Sequence, residues 1–261
     1  MAVIRVDDLK IGYREKGTGK AIVFLHGVGS DISVWDRQLN HFSKKWRAVS
    51  IEYPGYAESD LPGKGLNREE IAHFLFGAMD GLSIKTAHIV GLSMGGVIAL
   101  EMARHQPARL RSLTLVDTFA RHPNGETILE GLHKDIEAMT MLAFARARVN
   151  LILSHNASEA LKQEVIETMA NIDKRTYRWS TKAVWTSDYR SDLPHITIPT
   201  LVAIGEHDQF TPLALSEELH RCIPGSKLVI IPNAGHLSNL DNPVFFNRIV
   251  EEFITSVEMN S

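Results

Sequence analysis

Cysteine is almost missing from this chain: Cys222 is the only one. That excludes an intramolecular disulfide and a zinc site built on several thiolates, and it fits a reducing compartment. Cys222 itself reads as a small, half-buried side chain. A hydrophobic leader is missing too, because Met1-Ala2-Val3-Ile4-Arg5-Val6-Asp7-Asp8 reaches charged residues before any long apolar run. Neither a signal peptide nor a membrane span is expected, and a cytoplasmic protein is. Neither sign of charge dominates: 28 Lys and Arg stand against 31 Asp and Glu, for a formal net charge of -3. The cations are scattered and form no stripe, which argues against nucleic acid as a partner. No His-Glu-x-x-His stretch occurs, and the 12 histidines never pair with carboxylates at ligand spacing, so no metal is expected. Gly91 to Gly96 lacks both the lysine of a phosphate-binding loop and the spacing of a dinucleotide loop. Repeats and low-complexity tracts are absent as well.

What is present is ordinary globular usage, 44% hydrophobic and 23% charged over 261 residues, enough for one large core carrying an excursion. Residues 2 to 15 alternate with period two around Asp7-Asp8 and predict an antiparallel hairpin. Ala21-Ile22-Val23-Phe24-Leu25 is a continuous apolar run of the kind a strand buried on both faces requires. Similar runs lie near Arg47 to Glu52, Ala87 to Val90, Ser112 to Val116, Pro199 to Ile204 and Lys227 to Ile231, with helical patterns between several of them. This alternation predicts a mostly parallel sheet flanked by helices, with its site at the carboxyl ends of the strands. Between about 119 and 195 the strand signal gives way to helical stretches such as Leu129 to Leu153 and Glu159 to Met169, which reads as an inserted helical cap. The expected division is a core of residues 1–118 and 196–261 with a cap of 119–195, and a terminal helix at about 243 to 257 closing the chain.

Three strand ends carry the chemistry. Gly91-Leu92-Ser93-Met94-Gly95 lies between a buried strand and a helix, where flanking glycines allow a sharp elbow that exposes a serine. A serine hydroxyl is a weak nucleophile at neutral pH; it needs a base, a group to orient the base, and donors for the developing oxyanion. His236 follows the last sheet strand in a glycine-containing loop and is the candidate base. Asp208 ends the strand before it and is the candidate acid, with Glu206 and Asp117 as rivals. Val28 and Met94 stand where two backbone N–H groups would form the oxyanion hole. His26 beside that loop is either a brace or a substrate contact, and is carried here as a substrate-binding candidate. In the cap, Met139, Met141, Phe144, Trp179 and Trp185 could line an apolar pocket, and Arg190, Arg146 or Arg148 could receive a substrate carboxylate. Trp185 and Arg190 are carried as substrate-binding candidates.

With these segments in hand, the chain resembles the α/β-hydrolase family over nearly its whole length. The matching stretches are Phe24-Leu25-His26-Gly27-Val28-Gly29, Gly91 to Gly96, Gly205-Glu206-His207-Asp208 with Pro212, and Asn233-Ala234-Gly235-His236. The resemblance implies an eight-stranded sheet, a cap over the pocket and no organic cofactor. Within the family the chain is most similar to the 3-oxoadipate enol-lactonase and small carboxylesterase branch, through Trp35-Asp36-Arg37-Gln38 and Asp188 to Pro194. It departs at Glu52, where many relatives have Asp, and at Ala57, where many have glycine. Serine at the elbow, where dehalogenases and epoxide hydrolases have Asp, argues against both. The expected function is a serine hydrolase of a small carboxylic ester or lactone. Alternatives are carbon-carbon hydrolysis of a diketone-type ring-cleavage product, against which Leu237 replaces the tryptophan often found after the histidine, and a slowly hydrolysing ligand receptor. Oligomeric state is left open, a homodimer included.

Overall fold

The computed structural model describes residues 2–260. Strands β1 (Ala2–Val6) and β2 (Leu9–Lys16) form the antiparallel hairpin, turning at Asp7. Next come β3 (Ala21–Leu25), β4 (Arg47–Ile51), β5 (Ala87–Leu92), β6 (Leu110–Val116), β7 (Thr200–Gly205) and β8 (Lys227–Ile231). They join in one eight-stranded sheet in the order β1-β2-β4-β3-β5-β6-β7-β8. From β4 to β8 every pairing is parallel, while β2 pairs antiparallel with β4. The fold is therefore the mostly parallel α/β-hydrolase sheet. Every residue of β3, β5 and β7 is buried, which is why these strands read as unbroken apolar runs, whereas the edge strand β8 exposes Lys227 and Ile230.

A 3-10 turn (Ile32–Trp35) leads into α1 (Asp36–Phe42). Helix α2 (Arg68–Gly81) begins at a capping box in which Asn67 and Glu70 satisfy each other's backbone N–H groups. Helix α3 (Met94–His105) starts directly after Ser93. Between β6 and β7 lie α4 (Gly125–Ala138), α5 (Met141–Ile152), α6 (Glu159–Ala170) and α7 (Lys174–Trp185). Helices α8 (Leu213–Cys222), α9 (Ser238–Asp241) and α10 (Pro243–Met259) complete the chain. Two local details differ from expectation. The stretch Leu129 to Leu153 is two helices, because Met139 is extended and Thr140 starts a new helix by accepting the Ala143 N–H at 3.2 Å. Helix α8, polar on much of its surface, was not expected at all. No helix among the described residues is long and apolar enough to cross a membrane.

Strand β3 occupies the middle of the sheet, and the chain leaves it first to β4 on one side and later to β5 on the other. That reversal opens a crevice at the carboxyl ends of β3 and β5. The register Leu25↔Gly91 sets the loop after β3 beside the elbow, and Leu92↔Val116 sets Asp117 beside Ser93.

Candidate active site

Ser93 has φ 54 and ψ -113, a backbone conformation that non-glycine residues rarely adopt. It is held there by its N–H donating to Val116 O at 2.8 Å and by Thr118 Oγ1 donating to Ser93 O at 2.7 Å. The strain thus falls on the serine, while the flanking glycines answer a need for space. A Cβ at Gly91 would stand 2.3 Å from Gly95 O, and one at Gly95 would stand 2.2 Å from Leu25 O. The loop after β3 is equally close, since a Cβ at Gly27 would lie 3.3 Å from the Ser93 Cβ.

The three strand ends converge in a chain of hydrogen bonds. His236 Nε2 lies 3.0 Å from Ser93 Oγ, and His236 Nδ1 lies 2.8 Å from Asp208 Oδ2. Asp208 is 8% exposed. Its Oδ1 also accepts the N–H groups of Phe210 at 2.8 Å and Thr211 at 3.0 Å, and its Oδ2 accepts the Thr211 hydroxyl. Burial opposes charge on Asp208, but the charge of His236 and hydrogen bonds from His236 and Thr211 outweigh it and hold the carboxyl below the usual carboxylate range. Burial likewise opposes charge on His236, and the Asp208 carboxylate overcomes it, so the imidazole is raised above its ordinary value. An ionised Asp208 fixes the tautomer: Nδ1 carries the proton and donates to it, leaving Nε2 free to accept from the serine.

The two rival acids sit elsewhere. Glu206 is exposed and accepts the Asn233 N–H at 2.9 Å. Asp117 is fully buried below the site, with Oδ1 accepting from Gly205 N at 2.7 Å and Oδ2 from the Ser238 hydroxyl at 2.5 Å. It ties the loop that carries Asp208 to the one that carries His236. Burial, and then the charge of Asp208, pushes its carboxyl up to about 8.

Met94 lies in the elbow and Val28 in the loop after β3, and neither backbone N–H donates to any described residue. Met94 N–H is an orphan of the first turn of α3, at the positive end of the helix. A cavity of about 630 Å³, counting its open mouth, lies over Ser93 and His236 and is walled by Val28, Leu132, Ile152, Met169 and Trp185, among others. Trp185 stacks on Phe119 with ring centroids 5.4 Å apart.

Two expected substrate contacts are not in this cavity. His26 is fully buried: Nδ1 donates to Gly27 O at 2.9 Å, Nε2 lies 3.0 Å from Glu52 Oε2, and the ring packs on Tyr53 and Tyr56. It braces the loop after β3, and its partner is the same Glu52 at which the sequence departs from its relatives. Arg190 is exposed, because Asp188 two residues before it accepts both its backbone N–H and its guanidinium. Arg146 is exposed as well; Arg148 is the arginine that reaches the cavity. Helical phase carries the signal for it, since Phe144 and Ile152, four residues either side, belong to the buried face of α5. Of the other aromatic and methionine candidates in the insertion, Trp179 packs against Gly65 away from the cavity, while Phe144 and Met141 are in the core. Among the described residues no group of three or more His, Cys, Asp or Glu could hold a metal ion.

The family model for the alpha/beta hydrolase fold matches residues 20–243. The chain is 26% identical over 245 residues to the 3-oxoadipate enol-lactonase 1 of Acinetobacter baylyi, covering 91% of this chain and 90% of that one. It is 28% identical over 267 residues to a 2-hydroxy-6-oxononadienedioate/2-hydroxy-6-oxononatrienedioate hydrolase of Burkholderia vietnamiensis, covering 95% and 91%. Among solved structures, the enol-lactonase from Burkholderia xenovorans LB400 superposes with a TM-score of 0.92 at 27% identity, over 97% of this chain and all of the other.

Proposed function

This chain belongs to the alpha/beta hydrolase fold family, and from that premise we propose that it cleaves a small carboxylic ester or lactone with Ser93 as nucleophile, His236 as base and Asp208 as the orienting acid. The observation that carries the reading is the unbroken relay from Ser93 Oγ through both imidazole nitrogens to a buried carboxylate, at 3.0 and 2.8 Å. His236 takes the Ser93 proton as the oxygen attacks the carbonyl carbon. The N–H groups of Val28 and Met94 receive the negative charge that forms on the carbonyl oxygen. His236 then gives its proton to the departing alkoxide, leaving an acyl-serine. Water, deprotonated by His236, attacks that ester, and the serine is released with its proton restored. In a lactone the leaving alcohol stays attached to the acyl group, so one hydroxy acid is the product.

Turnover of p-nitrophenyl acetate, p-nitrophenyl butyrate and a panel of lactones before and after Ser93→Ala tests this. Loss of the nucleophile is expected to lower kcat by on the order of 10³-fold or more. Unchanged turnover in the variant would overturn the assignment. The likeness to a 2-hydroxy-6-oxononadienedioate/2-hydroxy-6-oxononatrienedioate hydrolase supports a second reading, in which the same serine attacks a ketone and a carbon-carbon bond breaks. Product analysis on a vinylogous diketone separates the two.

A further inference from the structure

Helix α7 serves two cavities. Tyr177, Thr181, Val184 and Trp185 wall the one over Ser93, whereas Trp179, Lys182 and Ala183, with Thr186 just after the helix, wall a second. With about 3.6 residues per turn, the two sets lie on opposite sides of the helix. The second cavity is a groove of about 1060 Å³, counting its open mouth. Its other walls are the start of α2, with Arg68 and Glu69, and α3, with Glu101 and Arg104.

Five charged side chains meet there, and they do not all find partners. Glu101 is buried, accepts from Arg104 Nη2 at 2.7 Å and from the Tyr189 hydroxyl, and lies 2.7 Å from His105 Nε2. Burial opposes its charge, but the bonds from Tyr189, Arg104 and His105 outweigh burial and hold the carboxyl below the usual carboxylate range. Arg104 therefore has an ionised partner. Arg68 has no carboxylate partner among the described residues. Its Nη1 donates to Ala183 O at 2.8 Å and to Thr186 Oγ1 at 3.3 Å, and its guanidinium stands 5.8 Å from the Tyr189 ring centroid. Neither the Lys182 ammonium nor the Glu69 carboxylate has a hydrogen bond or ion pair among the described residues, and the Trp179 indole N–H donates to none of them. Once Arg104 balances Glu101, Arg68 and Lys182 stand against Glu69 alone, and one positive charge is left over.

We propose that this groove is a second binding site, separate from the reaction assigned to Ser93, and that its ligand is a small aromatic monocarboxylate. One surplus positive charge matches one carboxylate; a dianionic phosphate would set excess negative charge beside Glu69 and Glu101. Trp179 supplies the aromatic part of the match. Gly65 lets the backbone close on its indole, since a Cβ there would stand 2.6 Å from Trp179 Cδ1. The ring offers a flat apolar surface and an uncommitted N–H, which suits a planar ring carrying an acceptor. Lys182, on a flexible stem, can move to the carboxylate, while Arg68 is held in place by the end of α7.

The test reads both cavities at once through indole N–H signals of the full-length, nitrogen-15-labelled protein. Four tryptophans give four signals, and Trp179→Phe and Trp185→Phe identify the two that matter. Benzoate should shift the Trp179 signal saturably, with a Kd on the order of 1 mM for so small a ligand. Lys182→Met, a change at an exposed position, should weaken binding by about 5-fold, whereas Arg148→Met should leave it unchanged. Benzamide, without the charge, and acetate, without the ring, should each bind more weakly than benzoate. A Trp179 signal that stays in place, that responds equally to benzamide, or that is indifferent to Lys182→Met overturns the proposal. So does a response lost in Arg148→Met, which would place the ligand over Ser93, and tighter binding of phenyl phosphate than of benzoate overturns the choice of a monocarboxylate. None of these outcomes depends on whether the protein cleaves esters.

Discussion

The strand ends and the inserted helices meet over one cavity, but they are built by different means. Around Ser93, Asp208 and His236 nearly every polar atom is committed, and backbone approaches are close enough that a methyl group would not fit at Gly91 or Gly95. Across the cavity, Leu132, Ile152, Met169 and Trp185 contribute apolar surface, and the one cation, Arg148, is uncommitted. One side fixes geometry through directional bonds; the other offers shape and one charge. Reaction chemistry tolerates little displacement, whereas a binding wall can be repacked, and the two halves are held accordingly. One seam between them is where the His236 N–H donates to Ile152 O at 2.7 Å and Asp241 accepts from both Gly235 N and Ser154 N at 2.8 Å.

The largest effect that would sharpen this contrast is expected at Asp208. Asp208→Asn keeps the shape of the side chain but removes the charge that raises His236 and selects its tautomer. A loss in kcat on the order of 10³- to 10⁴-fold is expected. The proposed mechanism requires the base form of His236, and since its pKa is raised above the ordinary 6.5, kcat/KM should climb with pH through a midpoint above 6.5. In the variant the His236 titration, followed by ring-proton NMR, should move downward, because the partner that favoured the imidazolium is gone. A midpoint that does not move would mean that Asp208 does not control the base.

Glycine offers a matched probe of rigidity in the two regions. At Gly95 an added Cβ would meet the Leu25 carbonyl oxygen at 2.2 Å, whereas Gly131 in α4 has nothing within 4 Å. Gly95→Ala should lower unfolding free energy by about 2–4 kcal/mol, as expected for forcing backbone apart in a packed site. Gly131→Ala should raise it by about 0.5–1 kcal/mol, because alanine loses less entropy in a helix. Urea unfolding of both measures the pair; equal effects would erase the distinction.

The same contrast explains what could be read from sequence. Strands β3, β5 and β7 are buried on both faces, so they appear as apolar runs, and the residues that end them fall at fixed places in the sheet. Ser93 and Asp208, at the ends of β5 and β7, could be picked out as candidates for that reason, whereas His236 follows the partly exposed edge strand β8 and was picked out by its glycine-containing loop. The direction of side chains in the insertion could not be read that way, because it depends on helical phase and on local bonds. Arg190 was preferred over Arg148, yet Asp188 captures Arg190 in a local turn, and the phase of α5 turns Arg148 inward. Of the two roles open for His26, brace or substrate contact, its contact with Glu52, 26 positions later, supports the brace, and no motif announces that partner. The break at Thr140 had a readable cap, but apolar periodicity ran through it.

Trp185 should give the smallest loss and the sharpest test of the division of labour. It closes α7, lines the cavity, and stacks on Phe119 with rings inclined by 29°. Truncation in Trp185→Ala removes a wall that contacts ground state and transition state alike, so the loss should fall mainly on binding. For an apolar ester, KM should rise about 5- to 20-fold, the value of one or two kcal/mol of pocket contact, with a smaller change in kcat. A fall in kcat approaching that of Asp208→Asn would break the comparison. It would mean that the inserted helices hold His236 in position through the Ile152 carbonyl, and that the wall of the cavity is part of the catalytic frame.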